Sequence, residues 1–317
     1  MHLSPWVARG VAAPAVALAS LGFFPRQRPA PKPKQPFVVA IVERGSDWAG
    51  LQPVARFTGS GWVNTWPDPE GRDAPVPDFL QLPTSWLGKP VPRQWVLWSM
   101  SGAHMRGRVV AARRAEGCSG PIALVLQKTK ATEPEKLRGF RVAVDSNQPV
   151  EGFRPVTTAD PEWNALQPAV AETFRAHESS VENSGSLPLG SSSTARLITV
   201  PVTIESLMRP VSASGPVVYY FEATKRLPIN RALGVSVAGW LTRSSARGPW
   251  TAFDVSGRVL SRDSAPVPVR TPIGLFRVLG RVYWLMRITD YEGSDTTLYD
   301  VSAAGTREIL TTGGGGC

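Results

Sequence analysis

Apolar positions along the chain come in short runs broken by Gly, Pro, Ser and Asp, the pattern of many short strands joined by turns. Phe37-Val38-Val39-Ala40-Ile41-Val42 is an uninterrupted apolar strand. Val54–Thr58 and Gly61–Trp66 read as a hairpin about Gly59-Ser60-Gly61. The stretch from Trp66 to Pro92 is Pro-rich and reads as loop. Gln94–Met100, Arg108–Ala112, Pro121–Gln127 and Gly139–Asp145 supply four further strands, and Lys128–Lys136 a charged, exposed connection. In the second half, strands are expected at Ala195–Ile204 and Val217–Ala223. Leu233, Val235 and Val237 then alternate with small residues up to Gly239-Trp240, which echoes Gly61-Trp62. Val282–Ile288 is nearly all apolar, so it reads as a central strand covered on both faces.

One helix stands out near 160–178. Trp163, Leu166, Val170 and Phe174 share a face at helical spacing. Asp160 can cap it, Pro161 suits its first turn and Glu162 complements its dipole. Pro168 is expected to break or kink it, which leaves 168–178 as the surer part. Ser179–Thr194, rich in Ser and Gly, reads as a flexible connection.

A phrase is written twice near the end. Thr251–Leu260 and Thr297–Leu310 each read as strand, turn carrying Asp and Gly, and returning strand. Asp254 and Asp300 lie 46 residues apart, near the period of a four-stranded propeller blade. The segment 249–311 is expected to be a meander of about six short strands. Its Tyr299-Asp300-Val301 pattern and the Gly that follows loosely resemble the last strand pair of a WD-repeat or related propeller blade. The Gly-His…Trp-Asp signature of that family is absent.

The fold class expected from these patterns is mainly β. Antiparallel meanders form two packed β lobes, sandwich- or propeller-like, with one short helix near 160–178. Residues 37–158 make the first lobe, 159–194 the helix and connection, and 195–312 the second lobe. The Gly-rich tail 313–317 is expected to be flexible. Ahead of these, Gly10–Phe24 is fifteen residues without a charge, too short to span a membrane and suited to a signal-peptide core. Residues 1–24 therefore read as a signal peptide and 25–36 as a Pro-rich linker. Export to the periplasm or beyond follows as the expected localisation.

Composition agrees with short strands: 29 Gly and 30 Pro are spread over 317 residues without a period. The formal charge is +10, and 28 Arg outnumber 7 Lys. A basic balance invites an acidic partner such as an anionic polymer. The Arg residues are scattered, with no run longer than Arg113-Arg114, so the excess reads as coding bias ahead of a basic binding face.

Catalytic chemistry is sparse. Cys118 and Cys317 are the two cysteines, and in an oxidising compartment they could pair. Closing so long a loop would contribute about 4–5 kcal/mol in the chain-entropy account. Two Cys and three His supply no metal cluster, and no cofactor motif occurs. Gly117-Cys118-Ser119-Gly120-Pro121 superficially resembles the Gly-Asp-Ser-Gly-Gly-Pro of trypsin-like serine proteases, but lacks the Asp and one Gly. Ser119 and Cys118 read as part of a turn before a nucleophile. His104 and His177 read as surface or helix-end groups. Asp254, Asp290, Glu292, Asp295 and Asp300 cluster in sequence; glycosidase chemistry would need two of them across a cleft. Eleven Trp is a high count. Most should be core, while Trp66 and Trp86, beside Pro-rich loops, are the candidates to stack on a ligand. In Gln94–Met100, Trp95 should point inward with Leu97, and Trp98 outward.

The function expected is therefore an exported, non-catalytic β-rich protein that binds a polymer or protein partner through loop aromatics. An anionic polymer, a polysaccharide or an envelope protein would suit, with no specific nucleic acid and no transmembrane anchor in the mature chain. The alternatives are a secreted hydrolase with acidic catalytic residues and a structural β spacer.

Overall fold

The computed structural model describes residues 35–64, 84–114, 122–183, 199–212, 217–228, 230–243, 245, 248–260, 269–289 and 293–316. All belong to one compact unit, Pro33–Cys317. The fold is mainly β, built from packed antiparallel sheets with one long helix.

The first strands are β1 (Phe37–Arg44), β2 (Ala49–Phe57), β3 (Trp62–Val63), β4 (Gln94–Ser99), β5 (His104–Arg114), β6 (Ile122–Leu126) and β7 (Phe140–Val144). They pair in the order β1-β7-β4-β5-β6-β2-β3, and β1 also pairs with β2. Six strands thus close into a barrel, which removes their open edges. Trp95 and Leu97 fill its interior with Val38, Ala40, Val42, Leu51, Val109 and Leu124. Trp98 faces outward, as alternation requires. A bulge sets Val39 opposite Ala55 and Ala40 opposite Pro53. The Gly59 turn forms as expected, with Gly59 at φ 100° and Thr58 N–H donating to Gly61 O at 2.8 Å. Within the stretch read as loop up to Pro92, Thr84–Leu87 forms one helical turn, α1.

A four-stranded meander, β13 (Val269–Val278), β14 (Arg281–Thr289), β15 (Gly293–Ser302) and β16 (Gly305–Gly316), lies against the barrel. Phe276, Tyr283, Leu285 and Leu298 pack on Phe37, Val39, Ile41, Val142 and Val144. β1 is therefore apolar from Phe37 to Val42, where both of its faces are covered. The meander is covered on both faces too. Trp284, Met286, Leu275 and Val301 meet Phe153, Val218, Tyr220 and Trp240 of a third sheet. Trp284 and Trp240 touch edge to face at 4.7 Å.

That third sheet has the order β12-β11-β10-β9-β8, from β8 (Phe153–Pro155), β9 (Thr203–Pro210), β10 (Val218–Leu227), β11 (Asn230–Arg243) and β12 (Trp250–Leu260). Its far face carries α2 (Trp163–Asn183), whose Leu166, Val170 and Phe174 are fully buried against Tyr219, Phe221, Val235 and Val237. The layers run barrel, meander, sheet, helix.

Three expectations about the helix are corrected. Pro168 does not end α2, which runs unbroken through it. The apolar stripe on both sides outweighs one missing hydrogen bond in the second turn. The helix also continues to Asn183, into the segment read as flexible, because Val181 is buried against the sheet. Asp160 does not cap the helix with its side chain. Its carboxylate turns back to accept from Thr157 N–H at 2.8 Å and from Arg154 Nη1 at 2.6 Å, and these bonds lower its pKa.

The first copy of the repeated phrase is not a hairpin. Thr251–Leu260 runs straight through β12 with a bulge: Phe253 pairs with Trp240 and Ser256 with Ala238. Asp254, at φ 47°, sits in that bulge. Gly257 is a close-approach glycine. A Cβ there would come within 2.5 Å of Val181 Cγ2 on the helix above. The second copy does form a hairpin, β15 to β16. The Asp254 carboxylate accepts the Thr306 N–H of that hairpin and so ties the two sheets together.

Candidate functional site

Trp66, Cys118, Ser119, Cys317, Asp290 and Glu292 lie outside the described residues, and so does any Cys118–Cys317 pairing. Trp86 lies in the α1 turn, and its side chain is outside the described set. The described tryptophans are buried or half-buried: Trp48, Trp95, Trp240 and Trp284 are core, and Trp62, Trp98, Trp163 and Trp250 line its margins. His104 stacks on Trp98, with ring centroids 4.7 Å apart. His177 Nδ1 lies 3.0 Å from Thr173 O, one turn back in α2. Of the acidic candidates, Asp254 holds the hairpin turn and Asp300 pairs with Arg281 and Arg307. Asp295 is exposed in β15.

The described residues do bring together a set of groups that no stretch of sequence announces. Arg44 at the end of β1, Arg138 in the turn before β7, Arg141 in β7 and Arg287 in β14 line one cleft of about 250 Å3. Glu43, Glu135, Val42, Gly45 and Pro134 complete its wall. The cleft opens where the end of the barrel meets the meander, so three separate parts of the chain contribute.

Each guanidinium arrives there for a local reason. Arg44 follows the apolar run of β1, where burial falls from complete to exposed. Arg287 shares the barrel-facing side of β14 with Tyr283 and Leu285, one pleat beyond the core. Arg141 holds the equivalent margin of β7, beside buried Val142.

The charges are unevenly matched. Arg287 Nη2 lies 3.4 Å from Glu43 Oε1 and donates to Ser294 Oγ at 3.1 Å. Arg138 pairs with Glu135 at 2.7 Å, but both side chains are exposed, so that pair contributes little. Arg44 and Arg141 have no carboxylate within ion-pair distance among the described residues. Burial lowers the Arg141 pKa, and the neighbouring charges of Arg44 and Arg287 push it further down. Glu43 is shifted upward by burial, against the pull of Arg287 and Arg44. Guanidinium groups that repel one another in a partly dry cleft are stabilised by an incoming anion. Their planar donor forks suit a carboxylate, sulfate or phosphate.

Sequence reading missed this site because its members are spread from position 44 to position 287. The legible trace is a charged residue inside or directly after an apolar strand: Arg287 within Val282–Ile288, Arg141 within Phe140–Val144, Arg44 after Phe37–Val42. Singly, each reads as a surface residue at a strand end.

Several other charged groups pair within the fold. Glu162 accepts from Arg209 at 2.7 Å, Arg154 at 3.1 Å and the Tyr219 hydroxyl at 3.0 Å, which fixes the start of α2 to the third sheet. Burial and the Glu162 charge push Tyr219 up to about 12. Among the described residues no group of three or more His, Cys, Asp or Glu gathers, and no helix is long and apolar enough to cross a membrane. Comparison with known protein families, curated proteins and solved structures finds no match to this chain.

Proposed function

We propose that this protein is an exported, non-catalytic binding protein whose arginine cleft holds the anionic groups of a polymer. The observation that carries the reading is the convergence of Arg44, Arg138, Arg141 and Arg287 on one cleft. Arg44 and Arg141 bring positive charge there with no carboxylate within ion-pair distance among the described residues. A polymer bearing carboxylate, sulfate or phosphate groups supplies the missing charge, and its repeating units allow more than one contact. Trp66, and Trp86 of the α1 turn, would add stacking on sugar rings along the polymer. The net positive charge assists capture at a distance at low salt.

The test is binding of the mature protein to immobilised alginate, a sulfated glucan, polyphosphate and neutral dextran. Binding to one or more anionic polymers and not to dextran is expected, weakening as salt rises. Arg44→Gln with Arg141→Gln should reduce affinity about tenfold or more, as expected for lost hydrogen bonds to charged groups. Trp66→Ala and Trp86→Ala measure the aromatic share. Binding that ignores both arginine substitutions, or equal binding to dextran, would remove the proposal.

A further inference from the structure

β5 carries a row of basic side chains on the outside of the barrel. Alternation along the strand sets it up. Val109 fills the barrel core and Met105 packs against it. A Cβ on Gly107 would approach Leu97 and Leu126 of the same core at 2.8 and 2.9 Å. The residues between them, His104, Arg106 and Arg108, therefore point outward, and all three are exposed. Their register partners on β4 are Trp98, Val96 and Gln94, which share that face. Trp98 and Val96 are half-buried at the margin of the layer between barrel and meander.

Two features mark the row as more than a solvated face. The first is its charge. β4, β5 and β6 lie side by side and carry no Asp or Glu. Arg106 and Arg108 have no carboxylate within ion-pair distance among the described residues. Side chains two residues apart on a strand stand about 7 Å apart, close to the distance between successive phosphates of an extended nucleic-acid strand. The second feature is the aromatic group at the head of the row. His104 lies on Trp98 with ring centroids 4.7 Å apart and planes 33° from parallel. Trp98 is wedged between β4 and the layer beneath, so it backs the imidazole and leaves the ring's outer face toward solvent. Guanidinium groups at phosphate spacing beside a braced aromatic face match a chain that alternates phosphate and base.

We infer that the outer face of β4 and β5 binds single-stranded nucleic acid without sequence preference. Arg106 and Arg108 take successive phosphates, and a base stacks on His104. This surface shares no residue with the arginine cleft and does not rest on the polymer reading.

The experiment is fluorescence anisotropy of the full chain with a labelled oligothymidylate, an abasic oligomer of the same length, and duplex DNA. Oligothymidylate should bind at least about fivefold more tightly than the abasic oligomer, the advantage of one stacked base. His104→Ala should remove that advantage and leave abasic binding unchanged. Arg106→Gln with Arg108→Gln should weaken both ligands about tenfold or more. It should also reduce the slope of log affinity against log salt by about 1.4, the share of two phosphate contacts on a single strand. Arg141→Gln should leave oligothymidylate binding unchanged, which separates this surface from the polymer site. Equal binding of the abasic oligomer, an unchanged salt slope in the Arg106 and Arg108 variant, or loss in Arg141→Gln would overturn the inference. Tighter binding of the duplex would overturn it too, because a paired base cannot reach His104.

Discussion

Burial raises the Glu43 carboxyl above the ordinary glutamate range, and Arg287 and Arg44 draw it only part of the way back. The sign of its effect on stability follows. The folded chain holds this proton more tightly than the unfolded chain, so stability is greatest at low pH. It falls as pH rises from the unfolded value, about 4.3, through the raised folded value, and is level above that. Glu43→Gln should flatten this slope, read by urea unfolding across that window. The same proton governs the anion cleft. As Glu43 is neutralised, Arg287 loses its internal partner and the cleft becomes more cationic. Anion affinity should therefore increase as pH falls through the raised value, and Glu43→Gln should hold the tight-binding form at all pH values. A wild-type affinity that is flat with pH, measured by titration with a sulfated glucan, would contradict this. None of this was legible from residue 43 alone, where a glutamate after an apolar run reads as a strand end leaving the core.

Between elements, the contacts that fix α2 to the third sheet set the sharper tests. Lys225 Nζ and Glu178 Oε2 are 2.7 Å apart with both side chains nearly buried, 5% and 10% exposed. Lys225→Met alone leaves a carboxylate buried without its partner and should cost about 3–5 kcal/mol. Lys225→Met with Glu178→Leu should return most of that, because the pair must also offset its own desolvation. Gly257→Ala should cost about 1–3 kcal/mol through overpacking on Val181, and Val181→Ala should partly rescue it. Denaturant midpoints of the single and double variants decide both cases.

Gly257 also explains where sequence reading stopped. Short apolar runs placed β1, β4, β7, β10 and β14, and alternation put Trp95 and Trp98 on opposite faces, because one pleat reports one local environment. A glycine beside Asp and Ser carries two meanings, a turn or a close approach of another layer. Only the helix above β12 selects the second. Pro168 is the converse case. Its missing donor is a local cost, while the buried Leu166, Val170 and Phe174 that outweigh it belong to the packing between layers. The arginine cleft was hidden for the same reason, since its members meet only when β1, β7 and β14 do.

At the scale of the whole molecule, the meander is held from both sides, by the barrel at Phe276, Tyr283 and Leu285 and by the third sheet at Trp284 and Met286. Neither neighbour can leave without exposing one of its faces. The chain from Phe37 onward should accordingly unfold in one transition, with near- and far-ultraviolet circular dichroism coinciding. Trp284→Ala, at 1% exposure, should cost about 3–5 kcal/mol and lower that transition as a whole. Two separated transitions would show that the layers are independent. The spatial order of the layers also differs from their order along the chain. The residues in the middle, 269–316, are the last of the described segments to be synthesised. On the ribosome, the barrel and the third sheet must each wait with a sticky apolar flank until those final strands emerge and slide between them. A chain stalled or clipped before position 269 would expose two adhesive surfaces at once, so nascent and truncated forms should depend on holding chaperones far more than the finished protein does.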